Sequence, residues 1–150
     1  MGYVDSNLMS GEQVVCKANI HWFVFVPGVV LFVVGILLFG VVDGTFGAIV
    51  IFLAILFLLK AFIFRISTEL AVTSKRVIAK WGLIKRNTIE LNHSKVESFA
   101  IEQSILGRLF GFVTLSVNGT GGRSAPIPSI DAPLVFRRNA METIDSSQSR

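Results

Sequence analysis

Two apolar runs stand almost back to back in this chain, Trp22 to Phe39 and Phe46 to Phe64, and no charge interrupts either until Lys60. A helix needs about 20 apolar residues to cross a hydrocarbon core of roughly 30 Å. Each run is about that long. The pair therefore predicts a transmembrane hairpin over residues 21–64, and it makes lipid the solvent for that part of the fold.

The basic residues orient the hairpin. The link Gly40-Val41-Val42-Asp43-Gly44 has no Lys or Arg, while Lys60, Arg65, Lys75, Arg76, Lys80, Lys85 and Arg86 all lie on the other flank. The positive-inside rule puts that flank, and both termini, in the cytoplasm. Asp43 is then a turn residue. Fairly polar residues precede the first run, which is too long for a cleavable signal core, so the first helix is expected to be retained as a signal-anchor. Pro27 removes a backbone donor inside that span and predicts a kink. Small residues recur at sevens, Gly28 and Gly35 in the first run and Gly47, Ala54 and Ala61 in the second. They predict close helix packing, with Gly35 near Val50 and Ala54 near Leu31.

Several functions are disfavoured. The spans carry no membranous charge suited to an ion or proton path. One cysteine, Cys16, cannot form an internal disulfide or a cysteine-based zinc site. It reads as a small apolar residue near the membrane surface. His93 lies in an apparent turn without a neighbouring His, so no metal is expected. Gly119-Thr120-Gly121-Gly122 lacks the lysine and hydroxyl of a phosphate-binding loop, so no nucleotide cofactor is expected either. No paired carboxylates or Ser/His arrangement suggests an enzyme. Topology explains the net charge of +4 with less effort than nucleic acid does.

From Ser67 onward the pattern becomes β-like. Thr68 to Thr73, Val77 to Trp81, Ile84 to Leu91, Val96 to Ile101 and Val113 to Val117 read as strands, the last with clean alternation. Ala125, Ile127 and Ile130 mark a weak strand that Pro126 and Pro128 confine to an edge. Ser104 caps a short helix through Phe110 that Gly111 stops. Its Ile105, Leu106, Leu109 and Phe110 are expected in the core, and Arg108 is expected to pair with Glu97 or Glu102. A terminal helix from about Ala132 to Ile144 shows Phe136, Ala140 and Ile144 on one face.

Thr73-Ser74-Lys75-Arg76-Val77-Ile78 and Lys80-Trp81-Gly82-Leu83-Ile84 resemble the opening of the bacterial pleckstrin-homology (PH) domain family, membrane-flanked type. The similarity continues through Gln103 to Phe112, Asn118 to Gly122 and the terminal helix, from roughly Arg65 to Ile144. It implies a PH-like fold, two antiparallel sheets with a C-terminal capping helix, and supplies no catalytic residues. The expected organisation is a cytoplasmic segment (1–20), a membrane α-helical hairpin (21–64), an α+β, mainly-β PH-like domain (65–145) and a disordered tail (146–150), in a bacterial inner membrane. The expected partners are a membrane or cytoplasmic protein, further copies of the chain, or lipid headgroups. Lys75, Arg76, Lys80, Trp81, Lys85 and Arg86 are the candidate contacts for an anionic leaflet.

Overall fold

The computed structural model describes residues 2–82 and 87–148. In chain order its elements are α1 (Tyr3–Ser6), β1 (Val14–Ala18), a 3-10 turn (Trp22–Phe25), α2 (Val26–Val41), α3 (Gly44–Ser67), β2 (Glu69–Thr73), β3 (Arg76–Trp81), β4 (Asn87–Asn92), β5 (Val96–Glu102), α4 (Ile105–Phe110), β6 (Phe112–Gly119), β7 (Arg123–Asp131) and α5 (Pro133–Gln148), with a one-turn 3-10 helix at His93–Lys95. They divide into two units: Met1–His21 with Ser67–Arg150, and Trp22–Ile66.

The first unit holds two antiparallel sheets, in the orders β1-β2-β3-β4 and β5-β6-β7. The N-terminal segment, expected to stand apart from the domain, supplies β1. Cys16 pairs with Val72 and Ala18 with Leu70. The apolar helices are thus an insertion between two hydrogen-bonded neighbours of one sheet. β2 is covered on both faces, which is why Leu70, Ala71, Val72 and Thr73 are all buried. On one face Val4 of α1 packs with Ala71 and Ile78, and Tyr3, Leu8 and Val14 close around them. Residues alternate across a strand, so Leu70, Val72, Val77 and Ala79 point to the other face. In the second sheet Phe99, Leu115, Val117, Ile127 and Ile130 are buried too.

Helix α5 contacts β1, β6 and the His93–Lys95 turn. Phe136, Ala140 and Ile144 are its buried stripe, and Phe136 meets Phe99 edge-on at 6.4 Å between ring centroids. The helix runs four residues past Ile144, so residues 146–148 are helical rather than a tail. β7 is an edge strand, as its prolines require.

In the second unit Pro27 does not kink a helix. It occupies the first turn of α2, where its missing N–H has no intrahelical acceptor to lose. The 3-10 turn before it restores the length. Four residues at about 2.0 Å and sixteen at about 1.5 Å give about 32 Å. The 24 residues of α3 give about 36 Å. Asp43 caps α3, its Oδ1 accepting the Phe46 N–H at 2.9 Å. Both helices are long and apolar enough to cross a membrane, and most of their large side chains are exposed.

Candidate functional site

The six-residue β3 redistributes the basic cluster. At about 3.4 Å per residue its ends lie about 17 Å apart. Lys75 and Arg76 therefore sit at one end and Lys80 and Trp81 at the other, where the sequence suggested one crowded patch. Lys80 pairs with Glu69, the first residue of β2, so it marks the end of the sheet to which the chain returns after the apolar helices. Lys75 marks the far end, its Nζ donating to the Ser10 carbonyl at 2.9 Å.

Arg76 is not a surface cation. It is 7% exposed, and a planar guanidinium this buried needs several acceptors. Its Nε and Nη2 donate to the two carboxylate oxygens of Glu12 at 3.0 and 3.1 Å. Nη1 donates to Glu90 at 2.6 Å and Nη2 to the Asn7 carbonyl at 2.8 Å. Glu12 also accepts the Met9 N–H at 2.6 Å and the Thr73 hydroxyl at 2.6 Å. Burial pushes the Glu12 pKa up, but the Met9 amide, the Thr73 hydroxyl and Arg76 together hold it below the ordinary glutamate range. Arg76 therefore fastens the N-terminal segment to the β2–β3 turn. A run of Lys and Arg gave no sign of this, because the acceptor lies 64 residues upstream.

Lys80 and Trp81 are half-buried. Lys80 Nζ lies over the Tyr3 ring, 4.7 Å from its centroid, a cation–π contact. Glu69 accepts the Tyr3 and Val4 N–H groups at 2.7 and 3.1 Å and so orients α1 beneath Lys80. Lys85 and Arg86 lie outside the described residues.

The second surprise is α4. Ser104 caps it, accepting the Gly107 N–H at 3.0 Å, and Gly111 ends it in the left-handed region at φ 84°. A Cβ on Gly107 would run into the Phe112 carbonyl oxygen, so the helix lies tight against the start of β6. That close approach turns the larger side chains outward. Ile105 is 90% exposed and Leu109 76%, with Leu106 and Phe110 exposed too. The expected core assignment is wrong because the small Gly107, not an apolar side chain, makes the packed contact. Arg108 is exposed and forms no ion pair with Glu97, Glu102 or any other described residue.

This helix lies at the same end of the unit as Lys80. Phe112 pairs with Asp131 in the β6–β7 ladder. The Asp131 N–H donates to Asn19 at 2.9 Å, and the His21 N–H to Ser129 at 2.7 Å. The His21 and Phe112 rings are 5.8 Å apart. His21 is the last residue of the unit before the apolar run.

Elsewhere, Gly28, Gly35, Gly47, Ala54 and Ala61 are all buried within the helical unit. A Cβ on Gly28 would meet Leu58 at 2.7 Å, one on Gly35 would meet Ile51 at 2.7 Å, and one on Gly47 would strike the Phe39 backbone. The neighbour of Gly35 is thus one residue beyond the expected Val50. Arg65 stacks over Phe25 at 5.9 Å.

His93 is buried, and its Nδ1 lies 2.8 Å from the Ser147 hydroxyl of α5. Burial pushes its pKa down, against the Thr73 and Arg76 backbone, which favours the protonated ring. Cys16 is half-buried in β1, and burial pushes its thiol up, away from the reactive thiolate. Among the described residues no three of His, Cys, Asp and Glu converge as a metal site would require.

Comparison with curated proteins gave no significant match, and comparison with solved structures gave none either. A family model described as bacterial PH domain matches residues 23–149, well over half of the 150 residues. Two antiparallel sheets of four and three strands with a C-terminal helix are consistent with that match, and the chain belongs to the bacterial PH domain family.

Proposed function

We propose that this is a non-enzymatic integral membrane protein, in which α2 and α3 cross the bilayer and hold a PH-like interaction module at the cytoplasmic face. One observation carries the reading. β1 and β2 are hydrogen-bonded neighbours, Ala18 opposite Leu70, and both apolar helices lie between them in sequence. A sheet folds on one side of a membrane, so the intervening chain must cross an even number of times. Two helices of spanning length satisfy that, and a link without Lys or Arg suits the far side. The exposure of the helices adds support, because so much apolar surface is costly in water.

The tether argues for protein partners or further copies of this chain over lipid-driven recruitment, since it already supplies the effective concentration that lipid affinity would otherwise provide. A second reading, an anionic-headgroup contact through Lys80 and Trp81, is favoured by their place at the end of the sheet nearest the helices in sequence. It is weakened by the burial of Arg76.

The test is extraction and topology. The protein is expected to stay in the pellet through an alkaline carbonate wash, and reporters fused at either terminus are expected to read cytoplasmic. A reporter after Arg150 that reads outside the cell sinks the proposal. Crosslinking in native membranes then separates protein contacts from the lipid reading. Protein adducts that persist in Lys80→Glu favour the first.

A further inference from the structure

We infer that α4 is an interfacial anchor, its apolar side chains lying at headgroup depth in the leaflet from which the hairpin departs. The inference rests on the membrane reading above. Among the described residues of the sheet unit, six of nine exposed large apolar side chains fall in two short stretches. Ile105, Leu106, Leu109 and Phe110 make up most of α4, and Leu134 and Val135 open α5; Met9, Val15 and Met141 are the others. Contiguous apolar exposure of this kind marks a surface that water does not cover in the working state.

Two features select lipid as the cover. The first is position. Phe112, two residues past the end of α4, has its ring 5.8 Å from that of His21. Asp131, three residues before Leu134, donates to Asn19. His21 is joined by a peptide bond to Trp22, where the first apolar run begins. A membrane crossed by that run has its interface within a residue or two of His21. The apolar stretches flank the same spot within the sheet unit itself. The second feature is chemistry. α4 carries no acidic residue, and its one charge is the exposed Arg108, which forms no ion pair among the described residues. Apolar side chains around a single guanidinium suit a boundary of acyl chains and phosphates. The Ser104 cap, the Gly107 contact and the Gly111 stop make the helix a fixed wedge rather than a loose loop.

The full chain in mixed zwitterionic and anionic liposomes tests this. A fluorophore is placed on single cysteines in a Cys16→Ser background: Leu109→Cys in α4, Ile36→Cys in α2, and Asp145→Cys near the far end of α5. Spin-labelled lipids report contact with the bilayer, and iodide reports contact with water. The label at 109 is expected to be quenched by a shallow lipid spin label and protected from iodide. The label at 145 is expected to behave oppositely, and that at 36 to respond to a deep spin label. Ile105→Asp with Leu106→Asp is expected to cut the shallow quenching at 109 several-fold, and unchanged quenching overturns the anchor. A label at 109 that is open to iodide while 36 stays in lipid also overturns it and leaves the membrane reading standing. Protection of 109 from both quenchers means protein covers α4, and overturns it too. A label at 36 that is open to iodide removes the membrane reading, and the anchor with it.

Discussion

Arg76 grips Glu12 with two nitrogens, Nε to Oε1 at 3.0 Å and Nη2 to Oε2 at 3.1 Å, and the two residues lie on opposite sides of the apolar insertion in sequence. The pair joins the segment before α2 to the strands after α3. It does so inside the sheet unit, where the Glu12 side chain has no exposure at all. The sheet unit is therefore built from both flanks of the insertion.

Arg76→Ala is expected to destabilise the sheet unit by about 3–5 kcal/mol, because it leaves the Glu12 carboxylate buried without its partner. Glu12→Ala leaves Arg76 with Glu90 and the Asn7 carbonyl and is expected to cost less, and the double variant is expected to lose less than the sum. Denaturant unfolding of the purified protein, followed by the near-ultraviolet signal of its tryptophans, measures all three. An Arg76→Ala loss within error of an exposed substitution such as Arg138→Ala contradicts the account.

Stability is expected to fall with acid in two stages. His93 and Glu12 both have folded pKa values below their ordinary ones, so the unfolded chain binds more protons as pH drops. The contribution of His93 is full above its ordinary value of about 6.5 and is lost as pH falls through its lowered folded value. That of Glu12 is full above about 4.3 and is lost below it in the same way. Unfolding midpoints across pH 4–7 check the first stage, which His93→Gln is expected to flatten.

Gly107→Ala is expected to cost about 1–3 kcal/mol, because the added methyl runs into the Phe112 carbonyl. The strain falls at the α4–β6 junction. Hydrogen exchange is expected to rise there first and to leave β2 and β3 protected.

In the helical unit, Gly47→Val is expected to part α2 from α3, because its Cβ meets the Phe39 backbone, whereas Gly40→Val has nothing within 4 Å to meet. Protease resistance and helix–helix crosslinking in detergent are expected to drop for the first variant and hold for the second. Equal behaviour of the two contradicts the packing.

A chain deleted of residues 2–18 is expected to lose the cooperative unfolding of the sheet unit, even though the family match starts at residue 23. The deletion strips β1 from one edge of β2, and it strips Val4 from Ala71 and Ile78. Limited proteolysis between Ser67 and Thr73 is the readout.

Features with a one-dimensional signature were legible from the residues alone. These include the two apolar runs, the alternation of β6, the edge character that two prolines impose on β7, the Ser104 and Gly111 limits of α4, and the Phe136-Ala140-Ile144 stripe. Each follows from local periodicity or from the dihedral limits of a single residue. β1 carried a weak alternation, Val14, Cys16 and Ala18, but five residues ahead of an apolar run do not announce a partner more than fifty residues later.

Tertiary structure alone decided which polar and apolar groups were covered. Arg76 and Lys80 look equivalent along the chain, yet one is buried by Glu12, Glu90 and Asn7 while the other rests half-exposed on Tyr3. Ile105 and Leu109 look like core, yet a contact at Gly107 faces them outward. Burial is settled by whichever distant segment arrives on a face, and local composition carries no record of that arrival.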